Sequence, residues 1–212
     1  MPDGQDVTFV ADPAKAPSDG QRRFVRPDDV SPFGGTWRQR LIKYGEGAGA
    51  NHPLLPAYRL YRHPAYQGLV QRFGIGNVYI LSAGWGLLRA DFPTPYYDIT
   101  FSQNAEPYKR RRSGDSFEDF RMPPDVAIGP VVFVGGKDYA PLFRKLTAET
   151  PVERIVFYNA AVPPDAPGCT LYRFPTTTRT NWHYECANDL IRYGLSARPY
   201  ESSSRTTSSP PR

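Results

Sequence analysis

Short apolar runs, separated by polar or glycine-rich stretches, form the main pattern along the middle of the chain. Residues 77–83, 131–134 and 154–158 are rich in β-branched and aromatic side chains and nearly continuous in apolar character. Runs of this kind are typical of strands that are buried on both faces, as in a parallel sheet. Residues 169–174 provide a fourth predicted strand.

Segments with helical spacing lie between and after these strands. Residues 57–73 place Leu60, Leu69 and Phe73 at spacings that fit a helix, with Pro64 near its start or at a kink. Two further segments are predicted to be helices: residues 139–146 and residues 181–193.

The order of these segments gives the predicted fold class. Residues 36–44 are expected to form a first strand, and the glycine-rich residues 45–49 a loop. Strands separated by helices or loops of this length imply an α/β fold with right-handed crossovers. We therefore predict one α/β domain over residues 36–196, with a mainly parallel sheet flanked by helices.

The two ends of the chain differ from this middle part. Residues 1–35 are rich in Asp, Pro and Gly and show little periodicity, so we expect a loosely ordered arm. Residues 197–212 are rich in Ser, Thr, Pro and Arg and have little apolar surface to bury, which predicts a disordered tail.

Composition and charge add information about partners and compartment. The 26 Lys and Arg exceed the 21 Asp and Glu, giving a net charge of +5, which permits attraction to a polyanion. No apolar run approaches the roughly 20 residues that a membrane-spanning helix needs, and residues 1–15 do not resemble a secretory signal. The two cysteines form neither a disulfide framework nor a metal-binding spacing. We expect a cytoplasmic protein without a membrane contact, a metal site or a cofactor.

The end of the predicted strand at residues 77–83 is the first candidate site. Ligands of open parallel sheets collect at the carboxyl ends of strands, where amides and short polar side chains are exposed. Four residues at such an end are candidates: Ser82 as a catalytic residue, and Gly84, Trp85 and Gly86 as ligand-binding residues. Alternatively, the glycines only permit a tight turn and Trp85 fills the core.

Two carboxylates follow on the next loop. Asp91 and Asp98 are seven positions apart, and Tyr97 precedes the second. An Asp there is a candidate catalytic acid, base or nucleophile, or a ligand for a sugar hydroxyl. Loop aspartates also cap helices and close turns, and this alternative stays open.

A glycine-rich turn after the strand at residues 131–134 offers a candidate phosphate site. Gly135, Gly136 and Lys137 combine backbone amides with one cation ahead of a predicted helix. The spacing fits neither common glycine-rich nucleotide-binding motif, and Asp138 is placed to cap the helix. A phosphate site and a simple turn are equally compatible with these residues.

The most concentrated positive charge is a run of four cations. It consists of Lys109, Arg110, Arg111 and Arg112. Adjacent cations in a loop can neutralise several phosphates, which makes the run a candidate nucleic-acid contact. The alternative is a solvated loop.

The strand and loop around residues 80–98 resemble a known family. The sequence Ile-Leu-Ser-Ala-Gly-Trp-Gly-Leu-Leu at residues 80–88, the acidic Asp91 and Pro-Tyr-Tyr-Asp at residues 95–98 resemble the YaaA-type peroxide stress proteins and their uncharacterised relatives. Residues 56–61 and 134–139 look like two further segments of that family. Gly84 stands where the family usually has a Lys.

The resemblance implies an α/β fold, a cytosolic protein and an association with DNA and oxidative-stress protection. On this basis we expect nucleic acid or a nucleotide to bind at the carboxyl ends of the strands at residues 77–83 and 131–134, each of which is followed by a glycine. Trp85 or Tyr97 would stack on a base. Lys137 would contact a phosphate, and Asp98 would accept a hydrogen bond from a donor group of the ligand or from a sugar hydroxyl. One alternative is an enzyme of base exchange or N-glycosidic cleavage that uses Asp98 or Asp91. Another is a non-catalytic interaction domain.

Overall fold

The computed structural model describes most of the chain as two compact units, Met1–Arg121 and Met122–Arg212. The boundary falls inside residues 36–196, the segment predicted to form one domain. Helices and strands are mixed, as expected. The described residues are 6–18, 20–47, 54–112, 114–125, 128–178, 180–195 and 201–202.

The first unit contains three small sheets and three α-helices within the described residues. Each of its sheets has two strands. The strands are β1 (Asp6–Phe9), β2 (Arg22–Val25), β3 (Leu55–Pro56), β4 (Tyr79–Ser82), β5 (Gly86–Arg89) and β6 (Pro93–Thr94). The helices are α1 (Trp37–Gly47), α2 (Ala57–Leu60) and α3 (Pro64–Phe73).

Helix α1 replaces the first strand that was predicted over residues 36–44. The helix buries Leu41, and Trp37 and Tyr44 lie on the same side because they are four and three positions away. A spacing of three and four residues is the signature of a helix, and the prediction of a strand missed it. The predicted helix over residues 57–73 is confirmed in two pieces, α2 and α3, with Pro64 as the first residue of α3.

Strand β4 pairs with β5 in an antiparallel hairpin, with Ser82 opposite Gly86. The prediction that residues 77–83 form a strand of a parallel sheet is therefore wrong in its pairing. A continuous apolar run indicates burial but does not specify the direction of the neighbouring strand. Gly86 has φ +85°, a conformation that closes the short turn between the two strands and that glycine adopts readily.

Residues 6–18 and 20–35, part of the segment predicted to be a loosely ordered arm, contain two paired strands. Strands β1 and β2 pair in parallel, and Val10 continues the pairing by donating its amide to the carbonyl of Val25. Phe9, Val10 and Ala11 are buried. These few apolar residues are enough to anchor the segment, although they are too widely spaced to show periodicity.

The second unit is built on a parallel sheet. Its strands are β7 (Val131–Val134), β8 (Arg154–Tyr158), β9 (Thr170–Arg173) and β10 (Glu201–Ser202), and its helices are α4 (Ala140–Leu146) and α5 (Trp182–Tyr193). Strands β7, β8 and β9 are parallel neighbours in that order, which confirms a parallel sheet. Residues 201–202 pair antiparallel with β9, and the rest of the predicted tail lies outside the described residues.

Helices α4 and α5 pack on opposite faces of this sheet. Phe133 of β7 stacks on Phe143 of α4, with ring centroids 5.1 Å apart. The alternate residues Val132 and Val134 pack against the cluster that contains Cys186 of α5. Because successive strand residues point to opposite faces, a strand covered on both sides is apolar throughout, as these strands are. Among the described helices, none combines the length and apolar character needed to span a membrane.

Candidate functional site

The turn that follows β4 is organised by the hydroxyl of Ser82. Its Oγ accepts hydrogen bonds from the amides of Gly84 and Trp85, each at 3.1 Å. Ser82 is 1% exposed. The predicted catalytic hydroxyl therefore shapes the turn, a local role that Ser often has.

Two buried arginines bind the carbonyl groups of the same turn. Arg111 Nη1 donates to the carbonyl oxygen of Ala83 at 2.8 Å. Arg38 donates to those of Gly84 at 2.9 Å and Trp85 at 3.2 Å. The amides of Gly84 and Trp85, which were predicted to face a ligand, and the carbonyls of the turn are thus bonded within the protein.

Both glycines of the turn lie in close packing. A Cβ on Gly84 would lie 2.8 Å from Cδ1 of Ile99, and one on Gly86 would lie 2.6 Å from the backbone oxygen of Phe120. The space that glycine leaves is therefore filled by protein. Of the two alternatives for Gly84 and Gly86, the structure favours the tight turn.

Arg38 is a buried cation that the sequence did not single out. Its side chain is 3% exposed and its Nε lies 2.5 Å from Oδ1 of Asp28. Its guanidinium also lies 5.1 Å from the ring centroid of Trp85, at cation–π distance. Arg38 thus links α1 to the turn after β4.

The run of cations at residues 109–112 divides into paired and accessible members. Arg111 is buried and bonded to Asp119 at 2.6 and 2.7 Å. Lys109 pairs with Asp98 at 2.6 Å, and this hydrogen bond raises the pKa of Lys109. Arg112 is exposed and Arg110 partly exposed. These last two are the members accessible to a polyanion.

The three other predicted residues of this region also have partners inside the first unit. Asp98 is the partner of Lys109. Asp91 forms a two-pronged pair with the exposed Arg89 at 2.6 and 2.8 Å, and this pairing raises the pKa of Arg89. The hydroxyl of Tyr97 is hydrogen-bonded to that of Tyr61.

The predicted phosphate turn belongs to the second unit. Gly135 and Gly136 follow the parallel strand β7, and Lys137 is exposed. A Cβ on Gly135 would lie 2.7 Å from the ring of Phe133, so this glycine is needed for packing. Asp138 lies inside a 3-10 turn, and no side chain caps α4, so its predicted capping role is wrong.

A pocket of about 400 Å³ lies beside α1 in the first unit. Helix α1 provides one wall, because residues three and four positions apart share a face of a helix. The lining residues are Phe9, Trp37, Arg40, Leu41, Lys43, Tyr44, Trp85 and Pro95. Trp85 is the member of the predicted site that reaches this pocket.

Aromatic side chains form the floor and part of the rim of this α1 pocket. The ring of Phe9 makes edge contacts with Trp37 at 5.9 Å and with Trp85 at 5.1 Å between centroids. Trp85 is fully buried, whereas Tyr44 is 41% exposed and Trp37 partly exposed. Trp85 therefore forms part of the floor. The rings accessible for stacking on a ligand are Trp37 and Tyr44, in place of the predicted Trp85.

The charge of the α1 pocket is positive. Arg40 and Lys43 are exposed, and no Asp or Glu is among the lining residues. Lys43 forms no ion pair within the part of the chain that the structure describes. Arg40 donates to the carbonyl of Phe33 at 2.9 Å and covers its ring. Apolar rings beside two cations provide the chemistry for a flat, anionic ligand.

The sequence contained a signal for the α1 pocket that was not recognised. Trp37, Arg40, Leu41 and Tyr44 repeat at the spacing of a helix face. Reading this segment as a strand placed these side chains on opposite faces. In the described ranges, no three His, Cys, Asp or Glu residues group closely enough to hold a metal ion.

Comparison of the chain with protein-family models, curated proteins and solved structures finds no match. The resemblance to the YaaA-type family therefore rests on the motifs at residues 56–61, 80–98 and 134–139 alone, and it stays a prediction.

Proposed function

We propose that the protein binds a nucleotide, either free or as an unpaired unit of nucleic acid, in the α1 pocket. The observation that supports this proposal is the combination of accessible aromatic rings with two cations and no carboxylate in one cavity. A nucleotide has the matching parts, a flat base and an anionic phosphate.

The base would stack against the rim of the α1 pocket. Trp37 and Tyr44 are the partly exposed rings, and Phe9 and Trp85 hold the floor behind them. Stacking of a base on an aromatic side chain contributes about 1–3 kcal/mol and tolerates every base.

The phosphate would be bound by Lys43 and Arg40. Both are exposed, and Arg40 can donate several hydrogen bonds from one planar group while Lys43 supplies a compact charge. Hydrogen bonds between charged groups are about twice as strong as neutral ones. Arg110 and Arg112 remain for longer-range attraction of a polyanion.

The resemblance to the YaaA-type family supplies the biological setting of the proposal. It supports DNA as the nucleic acid, a link to oxidative stress and a cytoplasmic location. We propose binding in preference to base exchange or N-glycosidic cleavage, because Asp98 and Asp91 are both bound to cations.

Charge reversal at the rim tests the proposal. We expect Lys43→Glu to weaken binding of a nucleoside monophosphate and of a short single-stranded oligonucleotide at least tenfold, measured by isothermal titration calorimetry at low salt. Arg62→Glu is the matched control, since Arg62 is an exposed cation of the same unit outside the pocket. Absence of binding by the unmodified protein, or equal binding by both variants, would refute the proposal.

A further inference from the structure

Phe33 is an exposed aromatic residue that adjoins the α1 pocket without lining it. It is 46% exposed, a large fraction for a phenyl ring. The ring lies edge-on to that of Trp37, with the centroids 6.5 Å apart. The guanidinium carbon of Arg40 lies 4.9 Å from the centroid of the Phe33 ring. Because Trp37 and Arg40 both line the α1 pocket, the surface of the pocket continues to Phe33.

Hydrogen bonds hold the backbone of Phe33 in place. Its amide donates to the hydroxyl of the buried Ser31 at 3.1 Å, and its carbonyl accepts from Arg40 at 2.9 Å. The amide of Ser31 donates to the carbonyl of Gly35 at 2.7 Å, which closes the turn that carries the ring. Since the segment is already ordered, a ligand that covers the ring meets a small entropic cost.

From these contacts we infer that Phe33 is a second base-stacking site, and that the ligand is single-stranded nucleic acid with two successive nucleotides at this surface. The inference rests on the proposed function and names its ligand class. One base occupies the α1 pocket, and the neighbouring base stacks on Phe33. Proteins that bind single strands combine aromatic rings for successive bases with cations that follow the backbone of the strand.

Arg40 is suited to bind the phosphate that joins the two nucleotides. Its residue lines the α1 pocket, and its guanidinium also lies against the ring of Phe33. One hydrogen bond from its Nη1 goes to the carbonyl of Phe33, and the group has further N–H donors. Arg40 thus keeps the phosphate role that the proposed function gives it, and the second base needs only the ring.

Probes of one and two nucleotides separate a second base from a second phosphate. The probes are TMP, the dinucleotide pTpT, and two forms of pTpT that lack either the 5′ or the 3′ base. The base-free forms keep both phosphates, so charge is constant and only stacking differs. By calorimetry on the full chain at low salt, we expect pTpT to bind about tenfold more tightly than either base-free form.

Substitution of Phe33 assigns this advantage to its ring. Phe33→Ala should lose the advantage of pTpT over its base-free forms and keep its affinity for TMP, whereas Phe33→Tyr should keep both. Phe73→Ala is the matched control, because Phe73 is a 38% exposed phenylalanine of the same unit that does not line the pocket. The guanidinium carbon of Arg72 lies 5.6 Å from its ring centroid, as Arg40 lies near that of Phe33. The control should change no affinity.

The outcomes separate the two proposals. Binding of TMP without any advantage of pTpT over its base-free forms would overturn the inference and leave the proposed function intact. An advantage that persists in Phe33→Ala, or a loss of TMP binding in that variant, would also overturn the inference, because Phe33 would then not act as a separate base site. No binding of any probe would overturn both proposals.

Discussion

Arg111 and Asp119 form a buried, two-pronged ion pair, with Nη1 2.7 Å from Oδ1 and Nη2 2.6 Å from Oδ2. Their side chains are 4% and 1% exposed. The same guanidinium lies 4.1 Å from the ring centroid of Phe117 and donates to the carbonyl of Ala83. A cation that the sequence offered for nucleic acid is therefore a structural component of the first unit.

Removal of the Arg111 charge should destabilise the protein severely. Arg111→Met leaves the carboxylate of Asp119 buried without a cation, and a broken buried pair costs about 3–5 kcal/mol in the free energy of unfolding. Urea denaturation followed by circular dichroism measures the loss. Arg112→Met, at an exposed position, should change stability by no more than about 0.5 kcal/mol. Similar stabilities of the two variants would contradict the structural role of Arg111.

Only the accessible half of the cation run can be tested for nucleic-acid contact without disturbing the fold. We expect Arg110→Glu with Arg112→Glu to keep the thermal midpoint and to weaken binding of a single-stranded oligonucleotide at low salt. The slope of log affinity against log salt concentration should become about one unit less steep for each lost phosphate contact. Unchanged affinity and slope would remove the run from the interface.

Mononucleotide binding provides the control for this double variant. UMP carries one phosphate, and neither Arg110 nor Arg112 lines the α1 pocket, so its affinity should be nearly the same for the variant and the unmodified protein. A matching loss for UMP would show that the two substitutions act on the pocket itself.

Substitution of Gly86 should destabilise the protein, because the turn after β4 requires a glycine at this position. Gly86→Ala forces a Cβ to within 2.6 Å of the Phe120 carbonyl oxygen at φ +85°. The left-handed conformation costs a side chain about 1–2 kcal/mol and overpacking about 1–3 kcal/mol more. The midpoint of urea unfolding measures the loss. Gly76→Ala is the control because a Cβ there meets no atom within 4 Å, and equal stability of both variants would argue against the turn geometry.

Glu185 should contribute to the dependence of stability on pH. The hydroxyls of Thr176 and Thr178 donate to its carboxylate, the first at 2.7 Å, and hold its pKa below the usual 4.5. Since the folded pKa is lower than the unfolded one, the stabilisation is complete above pH of about 4.5 and is lost as the pH falls through the folded value. In the Glu185→Gln variant, the free energy of unfolding should fall less steeply as the pH decreases through this acidic range.

Unfolding by urea at neutral pH and at several acidic pH values measures this effect. Glu149→Gln serves as control, since Glu149 is an exposed carboxylate of the same unit with no such hydroxyl partners among the described residues. If the free energy of unfolding falls equally steeply at acidic pH in Glu185→Gln and in the unmodified protein, the bonds from the two hydroxyls do not affect folding.

The sequence predicted the second unit better than the first. Strands β7, β8 and β9 and helix α5 lie close to their predicted positions, because a strand covered on both faces must be apolar along its whole length. The first unit has short strands with few residues each, so its pattern is weaker. Residues 36–44 form a helix instead of the predicted strand, and β4 pairs antiparallel instead of parallel.

The candidate site depended on contacts between distant parts of the chain. Arg38 binds the carbonyl of Trp85 across 47 positions, and Arg111 binds that of Ala83 across 28. No local pattern shows which cations will be buried by such bonds. The predictions therefore treated Arg111 as a surface cation and did not single out Arg38.

By itself, the sequence determined the α/β class, most of the helices and strands, and an excess of cations and rings, because composition and periodicity are properties of neighbouring residues. The tertiary structure decided which cations are neutralised inside and which remain at a cavity. Burial of a charge requires a partner within about 4 Å, and folding alone selects that partner. Arg38 and Arg111 therefore became structural, whereas Lys43 remained available beside the rings of α1.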